Sequence, residues 1–308
     1  MHRYAFLSVA LFVLSLQALA QPILVDTHAH LLSPGNPGNQ SQRWLAFSDG
    51  YAQRNSGREP FAGAKQLLLA LNEARVHNAV AISAAYFFFD AAEAQAENTF
   101  TAQQVALAPR RLLGFCGVNP TMPWAVSEVA RCQQLKLPGL KFHLVASRFS
   151  FANEQHVRQL RAILDQAKVT KMPILAHPGD SEEEFRAFVD LAWSYPELRF
   201  IIAHARGLNY RQVGFIPGAL NESPSLPKNI YLDISGTIKF YAGSPEVNML
   251  LWYLRQFGMD RVFMGSDFPV HSIRDSYAAL WTYPLTNAER AGVAGGNFLR
   301  FLREQPRR

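Results

Sequence analysis

PILAHPGDSEEEFRAFVDLAWSYPELRFIIAH, residues 173–204, holds one complete repeat of a pattern and the start of the next. Residues 173–177 and 200–204 are short apolar runs that each end in histidine, and the stretch between them, 181–194, is helix-like. The same alternation extends in both directions. Strand-like runs occupy 23–28, 79–84, 112–118, 139–144, 173–177, 200–204, 230–234 and 262–265. Helix-like stretches fill 61–77, 93–108, 124–137, 153–169, 181–194 and 245–257, and a last helix is expected over 287–304. Eight strand–helix units of about 30 residues predict an α/β fold, a closed parallel (β/α)8 barrel. An open doubly wound sheet is the alternative, but it usually carries a glycine-rich phosphate loop after its first strand, and none is present. The segment between the sixth and seventh runs is irregular, broken by Pro217, Pro224 and Pro227. Residues 32–60 form a long, polar, turn-rich loop that would lie over the mouth of a barrel.

The 308 residues are 49% hydrophobic and 18% charged, which excludes a disordered chain. The net charge of +6 is scattered, so no nucleic-acid footprint is indicated. Residues 1–20 read as a secretory signal peptide. His2 and Arg3 precede an apolar run over 4–16, and Ala18-Leu19-Ala20 is a cleavage site that would leave Gln21 as the mature N-terminus. The run is shorter than the ~20 residues a membrane span needs. A periplasmic or secreted barrel over 21–308, with no membrane anchor after cleavage, is therefore expected. Export permits disulfides. Cys116 and Cys132 either bridge or stay as two buried thiols, and neither has zinc-ligand spacing.

Five of the nine histidines fall at or near the C-terminal ends of these runs: His28 and His30 on the first, His143 on the fourth, His177 on the fifth and His204 on the sixth. Asp267 follows the eighth. Catalytic groups of a barrel collect at those ends. In Asp26-Thr27-His28-Ala29-His30 the two histidines stand at i and i+2, which places them on one face of a strand. Two imidazoles side by side reach one cation, and His177 and Asp267 complete a mononuclear set that keeps a position for water. A cation so held lowers the pKa of that water to about 7.

Asp26-Thr27-His28-Ala29-His30, Pro173-Ile174-Leu175-Ala176-His177-Pro178, Phe200-Ile201-Ile202-Ala203-His204 and Gly265-Ser266-Asp267-Phe268-Pro269 resemble the amidohydrolase superfamily. More narrowly they resemble its amidohydrolase-related branch of metal-dependent hydrolases and non-oxidative decarboxylases. The resemblance covers nearly all of the chain beyond the signal segment. It implies a distorted TIM barrel with one divalent metal ion, usually Zn2+, held by His28, His30, His177 and Asp267. It also implies that His204 acts on the metal-bound water or the substrate. Such relatives are often homodimers.

Other residues carry two readings each. Lys141 is either a carboxylated bridge between two metals, as in binuclear relatives, or a lysine paired with a carboxylate in the barrel mouth. His143 shares its face and is a substrate contact or a support for one. Asp233 fixes a histidine tautomer or caps the strand. Arg206 clamps a substrate carboxylate or is a solvated loop charge. Arg148, Phe149, Phe151, Trp44 and Phe47 line the pocket or pack loops. Tyr86-Phe87-Phe88-Phe89 is mostly core, and Asn297 is structural.

Three functions follow. The first is hydrolysis of a small lactone, ester or amide, with Asp267 and His204 as the proton-handling pair. The second is non-oxidative decarboxylation of an aromatic or enoic acid on the same ligands. The third is a non-enzymatic metal-binding barrel.

Overall fold

The computed structural model describes residues 22–34 and 62–304. The signal segment and the loop aromatics Trp44 and Phe47 lie outside the described residues. All eight expected strands form: β1 (Val25–Leu31), β2 (Asn78–Ser83), β3 (Leu112–Gly117), β4 (Gly139–His143), β5 (Ile174–His177), β6 (Phe200–Ile202), β7 (Ile230–Asp233) and β8 (Val262–Phe263). They pair in parallel, in chain order. Beyond β8 the backbone runs on beside β1. Thr27 N–H donates to Met264 O at 2.9 Å, Asp267 N–H to His28 O at 2.7 Å and His30 N–H to Phe268 O at 2.6 Å. The sheet thus closes on itself, and the open-sheet alternative is excluded. No helix among the described residues is long and apolar enough to cross a membrane.

Helices α1 (Ala64–Glu73), α2 (Ala91–Ala106), α3 (Ala125–Gln134), α4 (Glu154–Thr170) and α5 (Glu182–Trp193) follow the first five strands. Their starts are written locally. Asp90, Asn153 and Ser181 each accept hydrogen bonds from backbone N–H groups of the first turn of α2, α4 and α5. After β6 a 3₁₀ stretch, Ala203–Gly214, leads into α6 (Phe215–Glu222). Pro217 sits in the first turn of α6, where its missing N–H breaks no helical bond. Then come α7 (Thr237–Tyr241), α8 (Val247–Phe257), α9 (Ile273–Thr282), α10 (Asn287–Ala291) and α11 (Asn297–Arg303). The sequence pattern predicts no helix at α6, α7 or α9 and a single helix where α10 and α11 form. Residues Gly292–Gly296 form a π-helical segment between those two, with non-helical backbone at Gly295.

Strand alternation sorts the side chains into two layers. Ala79, Ala81, Leu140, Phe142, Ile174, Ala176, Phe200 and Ile202 pack outward on the helices. Val80, Ile82, Phe115, Leu175, Ile201 and Phe263 fill the interior. Phe298 and Phe301 of α11 join that inner cluster beside Phe263 and Tyr231.

β1 breaks the alternation. Asp26 pairs with Ala79 and Ala29 with Ala81, so β1 carries one extra residue. Val25 belongs to the inner cluster, while Ala29 and Leu31 belong to the outer one. Without the bulge, the parity of Val25 would turn Ala29 inward and His28 and His30 outward.

Cys116 on β3 and Cys132 on α3 are joined as a disulfide, with Cα atoms 6.1 Å apart and a sequence separation of 16. Closing a loop of that length constrains the unfolded chain by about 3 kcal/mol.

Candidate functional site

The bulge and the closure of β8 on β1 bring three donor atoms together at the C-terminal mouth. His28 Nε2 lies 3.2 Å from His30 Nε2 and 3.6 Å from Asp267 Oδ1, and His30 Nε2 lies 3.2 Å from Asp267 Oδ1. Close approach of β8 is needed for this. A Cβ on Gly265 would stand 2.8 Å from His28 Cβ and 3.1 Å from Ser235 Cβ. Asp267 itself holds a left-handed backbone, φ 66°. Such strain persists where the surroundings over-determine it, and it clusters at functional sites.

Hydrogen bonds set the direction of the lone pairs. His28 Nδ1 faces Asp233 Oδ2 at 3.0 Å, and a carboxylate can only accept, so Nδ1 carries the proton and Nε2 the lone pair. Asp233 is held in turn by the Ser235 hydroxyl and by Ser235 N–H at 2.9 Å. Burial, reinforced by the Lys141 charge, pulls the His28 pKa down to about 3 against the opposing pull of Asp233. Burial lowers His30 as well. For Asp267, burial pushes the carboxyl up, but the His30 hydrogen bond and the histidine charges outweigh it and hold it well below the usual range. At neutral pH the trio is two neutral imidazoles and one carboxylate.

That donor set fits a divalent cation. Ligands about 2.0–2.2 Å from a tetrahedral ion stand roughly 3.3–3.6 Å from one another, close to the separations observed. Imidazole with carboxylate suits several divalent first-row ions. His28, His30 and Asp267 would hold the ion. Replacing Asp233 with asparagine keeps the shape but removes the charge behind His28. Metal affinity is expected to fall 10–100-fold, read by competition with a chelator. An unchanged affinity would leave Asp233 with a capping role only.

His177, the fourth expected ligand, stands apart from the trio. Its ring stacks on His143 at 4.2 Å and meets His204 edge-on at 5.4 Å. Its Nε2 faces Asp180 Oδ1 at 3.5 Å, and its buried Nδ1 has no hydrogen-bond partner among the described residues. Burial lowers its pKa to about 4, so the ring is neutral. The structure therefore brings together three of the four expected ligands. The sequence pattern placed His177 at the right strand end, but ring orientation is a matter of its neighbours.

His204 lies beside the trio, with its ring 4.8 Å from that of His28. Its Nδ1 faces the Ser235 carbonyl at 3.0 Å, an acceptor only, so Nδ1 carries a proton and Nε2 is the nitrogen open to a ligand. His204, Ala205 and Arg206 have φ of 59°, 41° and 71°, three successive left-handed residues that are not glycine. Each costs roughly 1–2 kcal/mol. Arg206 explains how the turn is held. Its guanidinium donates to the carbonyls of Gly179, Asp180 and Ser181 and to Gln212 Oε1, and it lies over the Phe185 ring. The carboxylate clamp expected of Arg206 is thus corrected. The side chain is 9% exposed and ties the loop after β6 to the loop after β5.

The amidohydrolase family profile matches residues 25–303. The chain belongs to that amidohydrolase family. A search of curated proteins finds no match. Solved structures share the fold at low identity. A 5-carboxyvanillate decarboxylase from Sphingomonas paucimobilis has TM-score 0.59 and 16% identity, over 92% of this chain and 99% of that one. A probable 2-pyrone-4,6-dicarboxylic acid hydrolase from Acinetobacter baumannii, with citric acid bound, has TM-score 0.64 and 14% identity, over 92% and 100%. A dihydroxybenzoic acid decarboxylase from a Polaromonas species, with manganese and 2-nitroresorcinol bound, has TM-score 0.65 and 16% identity, over 91% and 96%.

A cavity of about 430 Å³ opens over this amidohydrolase's His204 and Asp267, walled by Gly207, Leu208, Ser235, Gly236, Thr237, Lys239, Phe240 and His271. Of the expected substrate contacts, Lys141, His143 and Arg206 are not among the described residues lining it. Lys141 is 1% exposed, and its Nζ stands 3.3 Å from His28 Nε2. Burial draws its pKa down to about 8, against Asp233 and Asp267. His143 Nδ1 accepts from Ala146 N–H at 3.2 Å, so its neutral ring carries the proton on Nε2. His143 stacks on His177, whereas Lys141 reaches the trio at His28.

Sequence reasoning missed several residues. The Tyr86 hydroxyl is 3.5 Å from His30 Nδ1, although its aromatic run reads as core. Ser235 touches both His28 and His204 through its Oγ, at 3.1 and 3.0 Å. Its position two residues after Asp233 was the available signal. Nothing in the spacing marks Lys239, Phe240 or His271.

Proposed function

We propose that this amidohydrolase-family chain is a divalent-metal-dependent lyase that removes the carboxyl group of a small aromatic acid. The observation that carries the reading is the His204–Asp267 floor of an apolar-walled cavity, set beside three convergent metal donors. Leu208 and Phe240 give that cavity exposed apolar faces suited to a ring. Support also comes from the fold likeness to aromatic acid decarboxylases, one of them with manganese bound. Manganese therefore stands beside the expected zinc as the ion to test.

When bound, the cation supplies a Lewis-acid charge that orients the substrate carboxylate. The chain does the rest. The hydrogen bond from Nδ1 to the Ser235 carbonyl turns His204 Nε2 to the cavity, where it takes a proton from solvent. The proton passes from His204 Nε2 to the carbon that bears the carboxyl group. The electron pair of the breaking carbon–carbon bond returns to the ring, and carbon dioxide leaves. Asp267, kept ionised by His30, stabilises the charged imidazole before transfer.

The test is carbon dioxide release from a panel of hydroxybenzoates by protein loaded with manganese or zinc. Release above the metal-only background supports the reading. Lactone or ester turnover without carbon dioxide would replace it with hydrolysis, the reading favoured by likeness to the probable pyrone-dicarboxylate hydrolase. Export to an oxidising compartment is part of the proposal, supported by the Cys116–Cys132 disulfide.

A further inference from the structure

We infer that Lys239 recognises a second carboxylate on the substrate, in the cavity that His204 and Asp267 also line. The inference rests on the reading of the cavity as a site for aromatic acids. Lys239 is the one lysine or arginine among the described residues lining the cavity. Arg206, the cation first expected in that role, is committed to loop carbonyls.

The short helix α7 fixes where Lys239 stands. Thr237 and Ile238 are buried, and the Thr237 hydroxyl donates to the His204 carbonyl, so the helix is tied directly to the cavity floor. The next two residues, Lys239 and Phe240, are exposed and line the cavity. An ammonium and an aromatic ring therefore leave the same turn on the same site. Phe240 and Leu208 are 65% and 68% exposed, apolar walls that a substrate ring would cover. The partner of Lys239 is Asp275, at 3.8 Å with both side chains well exposed, a pairing of small worth that a ligand carboxylate can displace.

Charge within the lining then differs in kind. The floor offers a carboxylate, Asp267, and the ligand set of a cation. Helix α7 offers a lysine ammonium. A ring with one carboxylate satisfies the floor alone, and a ring with two satisfies both.

The experiment is calorimetric titration of manganese-loaded protein with benzoate and with the three benzenedicarboxylates. Wild type, Lys239→Gln and Lys239→Arg are compared. In wild type the best dicarboxylate is expected to bind at least about tenfold more tightly than benzoate, the scale of one charge-assisted hydrogen bond. Lys239→Gln is expected to remove that preference while keeping benzoate binding, which also reports that the variant is folded. Lys239→Arg is expected to retain most of the preference. An unchanged preference in Lys239→Gln would overturn the role of Lys239 and leave the aromatic-acid site standing. Failure of wild type to bind benzoate or any dicarboxylate would overturn the aromatic-acid reading and this inference with it.

Discussion

Asp267→Asn is expected to lower turnover by about 10²–10³-fold, the range found when one preorganised electrostatic stabiliser is lost, and to strip the metal as well. Asp267 Oδ1 stands within 3.6 Å of both His28 Nε2 and His30 Nε2, and it is the one negative charge in that trio. Asparagine keeps the size and tolerates the left-handed backbone at this position, so the fold survives and the loss reports on charge. Two measurements check this: metal content per chain after dialysis, and turnover on whichever acid the panel identifies. A variant that keeps both metal and turnover would remove Asp267 from the site.

Phe263→Ala is expected to cost about 3–5 kcal/mol of folding stability, the range for emptying a buried phenylalanine site. Phe263 is fully buried inside the barrel. Its ring stacks on Tyr231 at 5.4 Å and meets Phe298 and Phe301 edge-on at 5.4 and 5.3 Å. β8 is only two residues long, and this ring joins it to the helix packed against the interior. The contact also lies between residues distant in sequence, so nothing local replaces it. Denaturant unfolding of wild type and variant gives the difference, and a change below about 1 kcal/mol would mean the cavity collapses without cost.

Much of the molecule is legible without coordinates because periodicity is a local property. Runs such as 173–177 and 200–204 carry enough apolar residues to become buried strands, and the stretches between them carry helix caps such as Ser181 and Asn153. Eight such units leave few ways to bury every strand, and parallel closure is the one found. Closure then gathers whatever stands at the strand ends, so a histidine pair at i and i+2 and an aspartate after β8 meet, though His30 and Asp267 lie 237 positions apart in the chain.

The remaining features are set by contacts that form once the chain has folded. Periodicity alone does not reveal the extra residue in β1, yet it decides whether His28 and His30 face inward. Arg206 reads as a free cation until the loop after β5 comes within reach and supplies three carbonyls. His177 sits at its expected strand end, but the His143 ring and Asp180 set its direction. The cavity wall comes from segments after β6, β7 and β8, and the helix that carries Lys239 and Phe240 is only five residues long, too short for a period to be read. The division has a physical cause. Secondary structure follows from the pattern along the chain, whereas the bearing of a side chain at a site follows from neighbours that the chain meets only once the barrel has closed.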